Sequence, residues 1–485
     1  MAIEPRPETL SSGEMNHNVG GQAGPPTAAI HTHGCKLNQA DSETLARSFA
    51  EAGYRIVEWG DGADVLVLNT CTITATADAK ARQALRGASR RTNSKALVVA
   101  TGCYAQRAAE QLAKVEGVSL VVGNTGKDRL VATVTAALDQ AQKRRLSPVS
   151  VSNDGGVNRN ISGKDWSPLR PASLTGNANG RTRAMIKIQE GCDQVCAYCI
   201  VPKVRGRERS IHPDVLLGQI NQRIDQGCQE VVLTGTQLGT YGFDLADSSL
   251  GVLLQRILRE TEITRLRVSS LQPQEITQDL LELWSDLRLC PHFHLPLQSG
   301  CDQILKSMRR RYDTSQFAAK VDLIRKMLPH AGITTDIIVG FPAEGEKEYQ
   351  ASKDFARSME FSDIHVFPYS PRPGTSAAYL KDRASDSVRK ERVADMGQIA
   401  AEGFRRFRLG QLGTHRPVLW ESSQAEGNKT FWDGLTDNYI RVRTQSEGNL
   451  RNTVTHAELQ KLAGASVLVS IRQQCICYPI LGNRR

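Results

Sequence analysis

Cys192, Cys196 and Cys199 stand at C-x3-C-x2-C spacing in GCDQVCAYC, within a chain that has 11 cysteines in 485 residues. A closed structural zinc site takes four protein ligands, usually supplied as C-x2-C pairs, and no fourth cysteine or suitably spaced histidine follows. The nearest histidine, His212, opens a helix beside Pro213. Three thiolates suit a 4Fe-4S cluster whose fourth iron has no protein ligand, so that a substrate or cofactor can bind it directly.

Cys35, Cys71 and Cys103 form a looser set, 36 and 32 residues apart. Each follows a short apolar run: TAAIHTHG, ADVLVLNT and KALVVATG. If these runs are parallel strands, their carboxyl ends lie along one sheet edge, where open α/β folds place ligands. The three thiols then converge on a shared ligand.

The elements that would position these residues fall into three textures. From Ala28 to about Lys143, strand-length runs (VSLVVG is the fourth) alternate with helical stretches such as DSETLARSFAEAGY, which predicts a small parallel α/β domain. Residues 144–182 are rich in Ser, Asn, Gly and Pro and read as a linker or insertion. Six further strand candidates follow: 184–189, 230–236, 265–270, 292–298, 333–340 and 363–370. HPDVLLGQINQRIDQG and SQFAAKVDLIRKML are helices between them, and six βα units suit a partial, open barrel with its chemistry at the strand carboxyl ends. A doubly wound sheet is the alternative. Beyond about Gly410, alternating apolar residues and turn signals predict a small antiparallel β-barrel. The resulting division is 1–27 disordered leader, 28–143 α/β domain, 144–182 linker, 183–410 barrel, 411–475 all-β domain and 476–485 tail.

Hydrophobic content of 40% fits a globular protein. No run reaches the roughly 18 apolar residues of a membrane span, and the leader lacks a secretory apolar core, which predicts a cytoplasmic protein. An odd cysteine count without such a signal favours reduced thiols over a disulfide framework. Cys228, Cys290 and Cys301 read as packing residues; Cys475 and Cys477, a C-x-C near the end, suit a surface or packing role. A net charge of +10 and a pI near 9.1 fit a polyanionic partner such as nucleic acid.

IKIQEGCDQVCAYCIVPKVRGRERS resembles the core motif of the radical S-adenosylmethionine (SAM) methylthiotransferases, and the likeness extends over nearly all of residues 28–475. HTHGCKLNQADSE, VLNTCTIT and VATGCYAQ are similar to that family's amino-terminal domain, HLPLQSG and DIIVGFP to its barrel strands, and the tail to its RNA-binding TRAM module. The resemblance implies two 4Fe-4S clusters: Cys192, Cys196 and Cys199 would hold the one that chelates SAM, and Cys35, Cys71 and Cys103 an auxiliary one that carries the sulfur. It implies two SAM molecules per turnover, one cleaved to a radical and one methylating the sulfur, an electron donor such as a flavodoxin or ferredoxin, and a sulfur source. A radical is the chemistry the reaction needs, because an adenine C2–H bond is not usefully acidic.

Carried over position by position, the resemblance makes Tyr198, Thr234, Gly235, Thr236, Ser270, Gln298, Ile338 and Gly340 candidates for SAM contact. No catalytic base is identified. Arg205, Arg207 and Arg209 after the triplet, and Tyr439, Arg441 and Arg443 in the tail, combine charge with an aromatic group and are candidates for RNA contact. GCKLNQADSE and VRGRERS most resemble the members that act on N6-threonylcarbamoyladenosine beside the tRNA anticodon. The members acting on isopentenyladenosine tend to a GCQMN-like start, and those acting on a ribosomal protein aspartate to GCPKN. Gln272, the AEG at 343–345 and Cys301 depart from the family's usual glutamate, GET and serine. A non-catalytic, metal-stabilised RNA-binding protein is the reading from another class, and two open triplets count against it.

Overall fold

The structure is a computed structural model that describes residues 24–91, 96–143, 150–151 and 182–471. Residues 1–23 of the leader, most of the 144–182 segment, Arg181, Cys475, Cys477 and the tail lie outside it.

The amino-terminal strands are β1 Thr27–Thr32, β2 Arg55–Ile56, β3 Val65–Thr70, β4 Leu97–Gly102, β5 Leu120–Val122 and β6 Ser150–Val151. They form one parallel sheet in the order β2-β1-β3-β4-β5-β6. All six residues of β3 are buried, as befits a central parallel strand covered on both faces. Leu66 and Leu68 pack with Leu85 and Leu112 on one face, and Val65 and Val67 with Phe49 and Val134 on the other.

The second region contains β7 Arg183–Lys187, β8 Gln189–Glu190, β9 Arg209–Ser210, β10 Glu230–Thr234, β11 Arg265–Val268, β12 His292–His294, β13 Gly332–Val339 and β14 Asp363–Pro368. Parallel pairing gives two curved halves, β7-β10-β11 and β12-β13-β14, linked by a bridge between Leu266 and Leu289. This is the expected six-stranded open barrel, with β8 and β9 as a short antiparallel pair at its mouth. Helices Pro213–Asp225, Leu250–Glu260 and Thr314–Met327 bury leucine, isoleucine and phenylalanine side chains against its outside. Along β13 the period-two alternation puts Ile333, Ile337 and Val339 in that outer core and Thr334, Asp336 and Ile338 on the opposite face, toward the interior.

Helix Asp386–Gly410 packs Met396, Ile399 and Ala400 on the barrel core and leads into β15 His415–Glu426, β16 Lys429–Thr436, β17 Arg441–Gln445, β18 Val454–Ala463 and β19 Ser466–Ile471. These close into a five-stranded barrel around Trp420, Trp432, Val442 and Val469. Among the described residues no helix is long and apolar enough to cross a membrane.

Candidate active site

The first cysteine set sits where the topology puts it, at the carboxyl ends of three neighbouring parallel strands. Cys35 caps helix Lys36–Glu51 after β1, Cys71 follows β3, and Cys103 opens helix Cys103–Arg107 after β4. Gly34 permits the approach: its φ is +114°, and a Cβ there would lie 2.6 Å from the Cys71 Cβ. Cys71 and Cys103 are buried and Cys35 is exposed. Burial pushes the Cys71 thiol up to about 12, and its neighbours Cys35 and Cys103 add to the rise. Thiolates there need a cation to replace the proton, as metal binding does. Asn124 Nδ2 lies 3.6 Å from the Cys103 sulfur, while Asn38 Nδ2 donates to the carbonyls of His33 and Thr70 and fixes the loop between them.

The second set lies on the loop after β8. Gly191, with φ +81°, comes so close to the Arg207 carbonyl that a Cβ would lie 1.9 Å from that oxygen, which turns the chain into Cys192. Backbone bonds from Cys192 N to the Gly206 carbonyl, Ala197 N to Met308 and Cys199 N to Cys196 hold the loop. Burial raises the Cys192 thiol to about 11 and the Cys199 thiol to about 12. Arg310 donates to the Cys196 sulfur at 3.3 Å and to Gln272 Oε1, so the amide at the departing position 272 anchors a cation on a cysteine.

All six cysteines are free thiols. Among the described residues, His294, Asp336 and His365 bring three ligand atoms within 4.8 Å of one another.

One interface carries both sets. Ile200 and Val204, which follow Cys199, pack directly on Cys103, and Asn124 donates to the Val204 carbonyl at 2.8 Å. Arg205 is buried there and donates to Asp41 (3.2 Å), Glu190 (2.6 Å) and Asn38 Oδ1. It is an internal ion-pair residue, a correction to its reading as an RNA contact: the turn after Gly206 separates it from the exposed Arg207 and Arg209. Asp41 also takes Lys127 at 2.9 Å and Lys187 at 2.7 Å. A second clamp joins Arg372, beyond β14, to Asp78 at 2.8 Å and to the Thr72 carbonyl beside Cys71.

The residues singled out for SAM gather at the same end of the barrel. Thr234 ends β10, and Gln189 Oε1 accepts from the backbone N–H groups of Thr236 and Gln237, both at 2.9 Å. Gly235 lies against Gln189, where a Cβ would meet the carbonyl at 3.0 Å. Gln298, at φ +71°, exchanges backbone bonds with β13, donating to Asp336 and accepting from Ile338. Gly340, at φ +71°, follows the last residue of the same strand, Ser270 follows β11, and Tyr198 lies partly buried between two cysteines in sequence and electrostatically close to Arg310. Arg310, Gln189 and Glu275 were not singled out from sequence. Burial raises the Glu275 carboxyl to about 7, and it bonds Gln237 and the Gln272 N–H.

The carboxyl-terminal barrel packs at the amino ends of the open barrel's strands, where a Cβ on Gly332 would lie 2.5 Å from the Asn438 carbonyl. Arg265 and Arg267 share buried Glu230 and reach the carbonyls of Leu435, Thr436 and Asp437. Tyr439, a non-glycine residue at φ +77°, stacks on His292 with ring centroids 4.1 Å apart and an interplanar angle of 5°. The ring is half-buried against the barrel wall and is not a free surface group. Trp432 is in the small barrel's core, Arg443 pairs with Asp433 and Glu426, and Arg441 stays exposed. His294 and His365 flank Asp336 at 3.3 and 3.2 Å on the interior wall.

Comparison with known proteins agrees with this architecture. Residues 27–123 match an uncharacterized protein family, UPF0004, and residues 186–356 the radical SAM superfamily. The chain is 36% identical over 423 residues to threonylcarbamoyladenosine tRNA methylthiotransferase MtaB of Bacillus subtilis, covering 86% of this chain and 90% of that protein. It is also 36% identical to the protein of that name from Aquifex aeolicus, over 86% of this chain and 96% of that one. It is 35% identical to tRNA-2-methylthio-N(6)-dimethylallyladenosine synthase of Syntrophobacter fumaroxidans, over 82% and 86%. Among solved structures, the radical SAM methyltransferase TsrM of Kitasatospora setae shares the fold, with a TM-score of 0.53 at 14% identity over 73% of this chain and 74% of that one. With two matched domains and relatives this similar over most of its length, the chain belongs to the radical SAM methylthiotransferase family, whose members work with two 4Fe-4S clusters and SAM.

Proposed function

We propose that this protein adds a methylthio group to C2 of N6-threonylcarbamoyladenosine at position 37 of tRNA. The observation that carries the chemistry is the pair of cysteine triplets, each without a fourth thiolate among the described residues, set across one packed interface in which Cys103 touches the segment leaving Cys199. Cys192, Cys196 and Cys199 would hold the cluster that binds SAM, and Cys35, Cys71 and Cys103 the auxiliary cluster. The bound cofactors supply a radical able to break a C2–H bond and a sulfur to replace the hydrogen.

The protein's own groups orient these. Arg310 places positive charge on the Cys196 sulfur, which stabilises the thiolate form. Gln189 fixes the Thr234–Thr236 turn for the amino acid end of SAM, and Gln298 and Gly340 shape the wall beyond it. Arg207, Arg209 and Arg441 offer exposed charge to the RNA backbone. The domain reading follows: 28–143 for the auxiliary cluster, 183–410 for the SAM core and 411–475 as the TRAM module.

Two of the relatives above bear the threonylcarbamoyladenosine name and one the dimethylallyladenosine name, so the base is the point to test. Nucleoside mass spectrometry of tRNA from a deletion strain is expected to lack 2-methylthio-threonylcarbamoyladenosine. The wild-type gene restores it, and Cys71→Ala or Cys196→Ala does not. Survival of that nucleoside with loss of 2-methylthio-isopentenyladenosine would overturn the assignment.

A further inference from the structure

The interior ion pairs are nearly all matched. Arg183 has Glu421 at 2.7 Å, Arg265 and Arg267 share Glu230, and Lys127, Lys187 and Arg205 surround Asp41. Lys36 is different. It is the residue after Cys35 and the first of helix Lys36–Glu51, and its ammonium enters none of the hydrogen bonds or ion pairs found among the described residues. Its contact is with the face of Tyr439, 5.8 Å from the ring centroid, and Arg267 approaches the same ring at 5.1 Å. His292 stacks flat on that ring, and its Nδ1 is buried without a partner.

Lys36 is electrostatically close to Tyr439, Arg267, Arg183 and Glu230. Glu230 is already bonded to two guanidiniums, so Lys36 has no bonded carboxylate of its own among the described residues. A part-buried ammonium without a bonded counter-ion is costly, and such a group marks a place for an anion that arrives with a ligand.

We propose that Lys36 binds the carboxylate of the substrate's threonyl group, as the charged member of a subsite that Tyr439 and His292 wall. The inference rests on the threonylcarbamoyladenosine reading. N6 and C2 lie on the same edge of adenine, flanking N1, so a residue that grips the N6 substituent next to Cys35 also aims C2 at the auxiliary site. An isopentenyl group has no anion for Lys36 and would leave the part-buried ammonium unpaired, which makes the subsite selective in both directions.

The test uses the full-length, cluster-loaded protein and anticodon stem-loop RNAs with three versions of the base: threonylcarbamoyladenosine, its threonine carboxamide, and plain adenosine. Wild type is expected to bind the carboxylate RNA about tenfold more tightly than the amide, the scale of one charge-assisted contact. Lys36→Gln should bind the two within about twofold, Lys36→Arg should keep most of the preference, and all three proteins should bind the adenosine RNA alike. Iron content and circular dichroism establish that the variants are folded and loaded. A wild type that does not discriminate carboxylate from amide overturns the inference without reference to any variant, and so does a Gln variant that keeps the preference. Nucleoside analysis separates the two levels. A wild type that makes the threonylcarbamoyl product without carboxylate preference removes only Lys36, whereas one that acts on isopentenyladenosine alone removes the substrate reading as well.

Discussion

Asp336 accepts from two imidazoles at once, His294 Nε2 and His365 Nδ1. Its hydrogen bond and charge raise the pKa of the half-exposed His365 above the ordinary 6.5. Asp336→Asn removes that charge, so the His365 midpoint in an NMR ring titration should fall toward about 6.5. The sign for stability follows from the raised folded value: the contribution is complete below about pH 6.5 and is lost as pH climbs through the folded pKa. The wild type should therefore lose more stability than the Asn variant across that window, and an unmoved midpoint would remove Asp336 as the cause. At this scale the sequence was most informative for cysteine, because an incomplete ligand set constrains its metal. Arg310 and Gln189 were not legible: each acts through a partner more than 45 residues away, Cys196 and Thr236 respectively. Lys36 was legible only as part of a family motif, since its ring contact is with Tyr439, some four hundred residues downstream.

The segment after β13 carries a local conflict between sequence and backbone. Ala343, in the AEG that departs from the family's GET, holds φ +67°, while its N–H donates to the Asp382 carbonyl. An L-residue in this region costs about 1 kcal/mol relative to glycine. Ala343→Gly should stabilise the protein by about that amount, read as a higher midpoint in chemical denaturation of the barrel, and a lower midpoint would show that the turn is not strained. Glu344 is buried against Arg392, which holds the turn in place. The six barrel strands and the first sheet were legible because β-branched runs between turn residues are a strong local signal. Their ends were less so: β12 spans only His292–His294, because LPLQ bends inward, with Leu297 N–H bonding the Thr335 hydroxyl in place of a regular ladder.

The two α/β units depend on Asp41 as a shared counter-ion. Its carboxylate lies on the amino-terminal domain and neutralises Lys187 on β7 and Arg205 beyond the cysteine loop, as well as Lys127. Burial opposes ionisation, yet Lys127, Lys187 and Arg205 hold the Asp41 carboxyl well below the usual range. This contribution is present above the ordinary aspartate pKa and fades as pH falls. Asp41→Asn strands buried cations and should cost about 3–5 kcal/mol, detected as earlier unfolding and faster proteolytic release of the amino-terminal domain. Unchanged proteolysis would mean that apolar packing alone joins the units. The pairings of Asp41 with Lys187 and Arg205 span more than 140 residues and leave no local pattern, which is why Arg205 read as a candidate for RNA contact from sequence. Tyr439 has a related consequence for modularity. Because the carboxyl-terminal barrel lends its own side chain to the open barrel's wall, it is not an interchangeable RNA handle. A chimera that takes this barrel from a relative to alter which RNA is gripped would also replace the ring that stacks on His292 and lies against Arg267.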